Sequence, residues 1–116
     1  MLDDQTRNNL ASVYAEAFMS DLIKIVSVKQ VQDAVGDIQE KTVERLERCL
    51  VEALSTTEKN RAGFDRDVTV YSVILPMDTQ VTTRDRYIYN DMVLNVVEVL
   101  ANDSTSVTTE TIAVRV

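Results

Sequence analysis

The stretch DRYIYNDMVLNVVEVL, residues 85–100, contains two runs of β-branched and aromatic residues on either side of Asn90 and Asp91. Such runs favour β-strands, and two turn-forming residues between them indicate a hairpin. Asn and Asp tolerate the positive φ of a two-residue hairpin turn better than most residues, although glycine is preferred there. We therefore predict strands over 85–89 and 92–100, joined by a turn that is slightly strained or longer than two residues.

The remainder of the C-terminal half also has strand chemistry. Residues 67–75 form a β-branched run that stops at Pro76, and residues 77–83 form a polar connector. A turn is predicted at Asn102-Asp103-Ser104, followed by a last strand over 109–116 with alternating apolar residues. Several short strands at near-regular spacing are typical of a small barrel or sandwich.

The N-terminal segment predicts a helix over about residues 3–19. Asp3 and Asp4 lie near its start, where a side-chain cap and the positive helix end favour acidic residues. One helical face carries an apolar stripe made of Leu10, Val13, Tyr14, Ala17 and Phe18. We interpret this stripe as core contact, with docking to a neighbouring chain as the alternative.

The middle of the chain gives one ambiguous pattern. Residues 21–29 indicate a strand, and Asp33 and Gly36 supply turn chemistry after it. Residues 40–54 carry apolar residues at helical spacing, with Glu44 and Arg48 four positions apart, so periodicity alone favours a helix over a strand. Residues 55–63 predict a short capped helical turn that ends at Gly63.

Composition describes an ordinary folded chain of mainly β class. The 116 residues suit a single domain over 1–116, with a helix over about 3–19 and a β-barrel over about 21–116. The apolar runs are too short for a membrane span, and the polar, acidic start does not resemble a signal peptide. The net charge of −7 argues against binding nucleic acid by neutralising phosphates.

Enzymatic chemistry has little support in this sequence. The chain has no histidine, a single cysteine, Cys49, and two isolated glycines, so it lacks a general base, a zinc-ligand pattern and a phosphate loop. We expect no catalytic residue, no metal and no cofactor, and we interpret Cys49 as a small buried hydrophobe. Tyr87 and Tyr89 share one strand face and could stack bases beside Arg84 and Arg86, but packing is the favoured interpretation.

The order of these elements resembles the head–tail adaptor, or head-closure, proteins of tailed bacteriophages. That family shows a strand ending in Leu-Pro, then Asp-Arg and a hydrophobic strand, a tight turn, a Val-rich strand and a final strand. The stretches FMSDLIKI, DAVGD and CLVEALSTTEKNRAG match its first half in order. The resemblance implies that residues 49–54 form a strand, and we adopt that prediction, with the helix over 40–54 as the alternative. The matching C-terminal elements are Leu75-Pro76, Asp85-Arg86, Asn90-Asp91, 94–99 and 112–116.

By this resemblance the chain would be made in the bacterial host cytoplasm and would work in the virion, at the neck between head and tail. Copies would form a homo-oligomeric ring between a portal or adaptor ring and a tail protein ring. That ring would close the head and provide the surface on which the tail docks. DNA would pass through without sequence-specific binding, and an acidic lumen would let it slide.

We expect the interfaces to lie in exposed loops at a hairpin tip and in the connector. The alternatives are another tail component such as a tail-terminator subunit, a cytosolic oligomerisation domain, or a small β-barrel that binds peptide or single-stranded nucleic acid. An enzyme is the least favoured class. The candidate interface residues are Gln30, Val31, Gln32, Asp33, Val35, Met77, Asp78, Thr79 and Gln80.

Overall fold

The computed structural model describes residues 3–65, 67–100 and 107–116, without the side chains of residues 14–17. Six strands form a closed antiparallel barrel in the order β1-β2-β3-β6-β5-β4. The predicted mainly β class with an N-terminal helix is therefore confirmed, and the barrel is closed. The elements are α1 (Asp4–Phe18), β1 (Asp21–Gln32), β2 (Ile38–Ala53), α2 (Thr56–Ala62), β3 (Val70–Pro76), β4 (Arg86–Tyr89), β5 (Met92–Val99) and β6 (Thr108–Arg115).

The hairpin predicted over residues 85–100 is present as β4 and β5. Tyr89 pairs with Met92, so the turn contains only Asn90 and Asp91. Both residues have positive φ, 47° and 63°, as a type I′ turn requires. The turn is thus a tight two-residue turn without glycine, and it is not longer. The turn predicted at Asn102-Asp103-Ser104 lies outside the described residues.

The helix predicted from periodicity over residues 40–54 is wrong, because this segment belongs to β2. β1 and β2 pair continuously from Asp21 opposite Cys49 to Gln32 opposite Ile38. This long ladder satisfies the backbone of both strands, which outweighs the local helical spacing of the apolar residues. Glu44 accordingly forms an ion pair across the ladder with Lys24, at 3.5 Å. The strand inferred from the resemblance for residues 49–54 is confirmed up to Ala53.

The core fills the barrel with side chains from all six strands. The buried members of the cluster are Ile23, Ile25, Cys49, Val73, Leu75, Tyr87, Leu94, Val96 and Ala113. They alternate with exposed or half-buried residues along each strand, as expected where one face of the sheet is buried. Cys49 is fully buried, so the interpretation of this residue as a small hydrophobe is confirmed.

A buried hydrogen-bond chain crosses this core. The Thr111 hydroxyl donates to the Val73 carbonyl at 3.0 Å and lies 2.7 Å from the Tyr87 hydroxyl. Because the single Thr111 proton goes to Val73, Tyr87 must be the donor to Thr111. Burial raises the pKa of Tyr87 from 10.0 to about 12. The neutral phenol therefore contributes stability that is complete below pH 10 and is lost as the pH rises toward 12.

The two helices differ in how they are held. In α2, Ser55 and Glu58 form a capping box and Gly63 ends the helix in the left-handed conformation, as predicted. In α1, the Asp3 carboxylate accepts the Thr6 N–H at 2.7 Å and caps the helix start. The predicted core contact of the apolar stripe is wrong for the described members, since Leu10, Val13 and Phe18 are 45%, 63% and 57% exposed.

The β1–β2 hairpin extends beyond the barrel. β1 pairs with β4 only at Lys24, Ile25 and Val26, and β2 pairs with β3 only over residues 50–53. Residues 27–43 therefore form a projecting hairpin, which we call the arm. The radius of gyration, 16.1 Å, exceeds the roughly 13 Å expected for a compact chain of this length, in keeping with such a projection.

The buried chain from Tyr87 to Thr111 makes an asymmetric prediction. Tyr87→Phe removes the first donor but leaves Thr111 bonded to Val73, so the free energy of unfolding should fall by about 0.5–1.5 kcal/mol. Thr111→Val strands the buried Tyr87 hydroxyl and should cost about 1–3 kcal/mol. The double variant should recover part of the Thr111→Val loss. Urea unfolding measures all three, and a larger cost for Tyr87→Phe would contradict the donor assignment.

Candidate protein interface at the arm end of the barrel

The structure brings the two predicted interface segments to the same end of the barrel. Three of the predicted residues lie on β1 within the arm, and Asp33 and Val35 lie in the turn at its tip. β3 runs antiparallel to β2 and therefore ends on the side of the barrel from which the arm projects, and the connector that follows β3 lies beside the base of the arm. The Arg45 guanidinium donates a hydrogen bond to the Gln80 carbonyl and ties the two segments together. The three β1 residues are Gln30, Val31 and Gln32.

The arm tip is ordered by the side chain of Asp33. Its carboxylate accepts the N–H groups of Val35 at 3.0 Å and Asp37 at 2.9 Å. The Asp33 N–H donates to the Asp37 carbonyl at 2.8 Å, and Gly36 supplies the positive φ of 90° that the turn needs. This network presents Val35 to solvent, with an exposed fraction of 82% for the residue. Loop backbone fixed in this way can hold an apolar contact residue in place before a partner binds.

The connector over residues 77–85 is held at both of its ends. Thr79 donates its hydroxyl to the Pro76 carbonyl at 2.6 Å, and Arg7 of α1 pairs with Asp78 at 3.7 Å. At the other end, the buried Asp85 carboxylate accepts the Thr82 N–H at 3.0 Å. This bond closes the turn before β4 and fixes the start of that strand.

The arm carries large apolar side chains that the described chain does not cover. Val28, Val31 and Ile38 are 49%, 41% and 68% exposed, in addition to Val35 at the tip. Val28 and Ile38 share one face of the arm and Val31 lies on the other. Large exposed apolar side chains concentrated on one projecting segment indicate a candidate interaction surface. Val28 and Ile38 were missed by the sequence analysis. The alternation of apolar and polar residues in β1 continues past residue 27, and this pattern could have indicated Val28. The helical spacing of residues 40–54 gave no indication that Ile38 pairs with Gln32 in a strand.

Two other candidate sites lose their support in this structure. Tyr87 is fully buried and cannot stack on a base, while Tyr89 is half-buried against the core. Burial raises the pKa of the Cys49 thiol to about 12, so this group is not a thiolate at neutral pH. Within the described ranges there is no cluster of residues suited to holding a metal and no helix long and apolar enough to cross a membrane.

The exposure of the arm predicts that its apolar residues add little to the stability of the isolated chain. Val35→Ser and Ile38→Ser should each change the free energy of unfolding by less than about 0.5 kcal/mol. Val73→Ser, the matched core control, should cost more than about 2 kcal/mol because it leaves a cavity and a buried hydroxyl. Chemical denaturation measures the three values. A loss at Val35 or Ile38 as large as that at Val73 would mean that the arm packs against the chain's own core.

Comparison with solved structures identifies the same fold in other proteins. The solution structure of protein SF1141 from Shigella flexneri 2a superposes with a TM-score of 0.68 at 18% identity, covering 84% of this chain and 93% of that one. A chain of the virion of a native gene transfer agent particle superposes with a TM-score of 0.55 at 13% identity, covering 82% and 93%. The sequence matches no protein-family model and no curated protein. At these identities the similarity shows the shared fold.

Proposed function

We propose that this chain is a non-enzymatic structural protein of a phage-like particle, located in the virion at the neck between head and tail. The observation that carries the proposal is the fold shared with a chain of a gene transfer agent virion over most of both chains. The order of motifs in the sequence, which resembles head-closure proteins, independently points in the same direction.

In this proposal, copies form a ring that closes the filled head and gives the tail its docking surface. The arm and the connector contact a neighbouring ring, either portal or adaptor on one side or tail on the other. They suit this role because they lie at the same end of the barrel and are ordered by their own hydrogen bonds, and because the arm exposes apolar side chains. The net charge of −7 is compatible with DNA passing through the ring without adhering.

Loss of the gene tests the proposed role. Particles assembled without this chain should appear in the electron microscope as full heads that leak DNA and carry no tails, because closure and tail docking both need the ring. Normal tailed particles would end the proposal. Tails that are present but irregular in length would instead favour a tail-terminator role.

A pair of point variants tests the arm itself. Val35→Asp places a charge at the exposed arm tip and should give the tailless phenotype while leaving the isolated chain folded. The matched control is Val116→Asp, since Val116 is 76% exposed at the opposite end of the barrel. Plaque or transfer titre and micrographs measure both. Equal titres for the two variants would show that the arm tip makes no required contact.

A further inference from the structure

A cleft of about 340 Å³ separates the arm from the connector and is a feature that the proposed ring does not by itself explain. Ser27, Val28 and Lys29 of β1 form one side, Val43 and Arg45 of β2 continue it, and the connector forms the other. The hydrogen bond from Arg45 to the Gln80 carbonyl closes the cleft at its base. The cleft is therefore a built concavity between two ordered segments.

The charge in and around this cleft is opposite in sign to that of the chain. The side chains of residues opposite each other in the β1–β2 ladder lie on the same face of the hairpin. Ile25 is buried inside the barrel, so the face that carries Ile25 is the one that extends from the barrel interior onto the arm. On that face Lys29 lies opposite Lys41, and Arg45 lies opposite Ile25. Arg84 of the connector lines the cleft as well. Three of the 12 cationic residues of a chain with net charge −7 thus line the cleft, and a fourth, Lys41, lies opposite one of them.

This positive charge has little compensation within the cleft. The carboxylate among the lining residues is that of Asp85, which is buried and accepts the Thr82 N–H. On the paired strands of the arm, this face carries no acidic side chain over residues 27–32 and 38–43; the carboxylates beyond these limits are those of Asp33 and Asp37 in the tip turn and of Glu47, which lies opposite Ile23. Like charges directly opposite each other, such as Lys29 and Lys41, repel. A ligand with carboxylates would relieve this repulsion.

The cleft also borders an unpaired strand edge. β1 pairs with β4 only as far as Val26, and beyond that point its outer edge, residues 27–32, has no strand partner among the described residues. Such an edge offers a row of backbone N–H and C=O groups to an added strand. Peptides that add to an edge gain affinity from the main chain and specificity from alternate side chains.

We propose that this cleft binds an extended acidic segment of another protein chain, which adds to the free edge of β1. Carboxylates at positions i and i+2 of the segment point to one face and reach Lys29 and Arg84, and Arg45 stays on the connector carbonyl. The aliphatic side chain of Val43 contacts the segment between the charges. The proposal depends on the proposed function for the source of the segment, a protein of an adjoining ring.

Charge favours a peptide over nucleic acid as the occupant. A short acidic segment carries only the charges that the cleft neutralises. A nucleic acid carries phosphates well beyond the cleft, where the acidic remainder of the chain repels them.

Peptide binding by the purified chain tests the proposal. The probe is a fluorescein-labelled peptide that alternates threonine and glutamate, and the control peptide has glutamine in place of glutamate. Fluorescence anisotropy should show saturable binding of the first peptide only. Backbone amide NMR shifts should be confined to residues 27–32 and 80–85. No saturable binding, or shifts elsewhere on the barrel, would overturn the proposal.

Charge reversal locates the site. Lys29→Glu combined with Arg84→Glu should weaken binding about tenfold or more, equivalent to ~1.4 kcal/mol. Arg61→Glu combined with Arg115→Glu changes the net charge equally at the other end and should leave binding within about twofold. If the first variant fails to fold, as judged by circular dichroism, Lys29→Gln with Arg84→Gln replaces it. Equal losses in both pairs would show non-specific attraction and overturn the site.

Two further outcomes would replace the proposed occupant. A thymidine oligonucleotide that displaces the peptide and binds more tightly would identify a nucleic-acid site, and sedimentation showing cleft-dependent self-association would identify a second copy. The proposed peptide binding in the cleft and the proposed neck role can be refuted independently. Absent peptide binding with tailless particles on gene loss refutes the cleft alone, whereas normal particles with specific peptide binding refute the neck role.

Discussion

The pairing of β4 with β1 is the constraint on which the rest of the structure depends. It spans only three positions, with Ile25 opposite Tyr87 at its centre, and both side chains are fully buried. This short contact closes the barrel, because β4 is the last strand in the order and β1 is the first. The Tyr87 hydroxyl crosses the interior and bonds to the Thr111 hydroxyl of β6, which in turn bonds to the Val73 carbonyl of β3. A single side chain therefore links the closing strand to the opposite wall.

The shortness of that closure creates the surface proposed for binding. β1 is 12 residues long and β2 is 16, but the barrel uses only their ends near the closure. The remaining residues of β1 and β2 pair with each other and form the arm. Exposed apolar residues and the cationic cleft thus lie on a part of the chain that contributes little to the core. Stability and binding can vary independently in such a molecule, since the residues of the core differ from the residues of the proposed binding surface.

Local chemistry in the sequence predicted the elements whose causes are local. The turn at Asn90 and Asp91, the capping box of Ser55 and Glu58, and the burial of Cys49 follow from neighbouring residues or from composition. The helix over residues 40–54 failed because its apolar spacing suits a helix, while the ladder with β1 is a long-range interaction that the spacing does not contain.

The candidate site was predicted in part for the same reason. Both loops were identified from polar and turn residues, but their convergence at one end depends on strand direction. Lys29, Arg45 and Arg84 are distant in sequence and meet only through register and the fold of the connector. Val28 and Ile38 are exposed because the arm projects beyond the barrel, and that projection depends on strand pairing. Sequence patterns indicate which residues can form an interaction surface, and strand pairing decides which of these residues lie close together.

The central claim is that this barrel forms part of the neck, with its arm end against a neighbouring ring. Electron cryomicroscopy of intact particles from a strain that encodes the chain tests it most directly. The account predicts a ring of six-stranded barrels between head and tail, with the arms and connectors in contact with the adjoining ring. A map in which the barrels are absent from the neck, or in which the arms project into solvent away from every other protein, would contradict it.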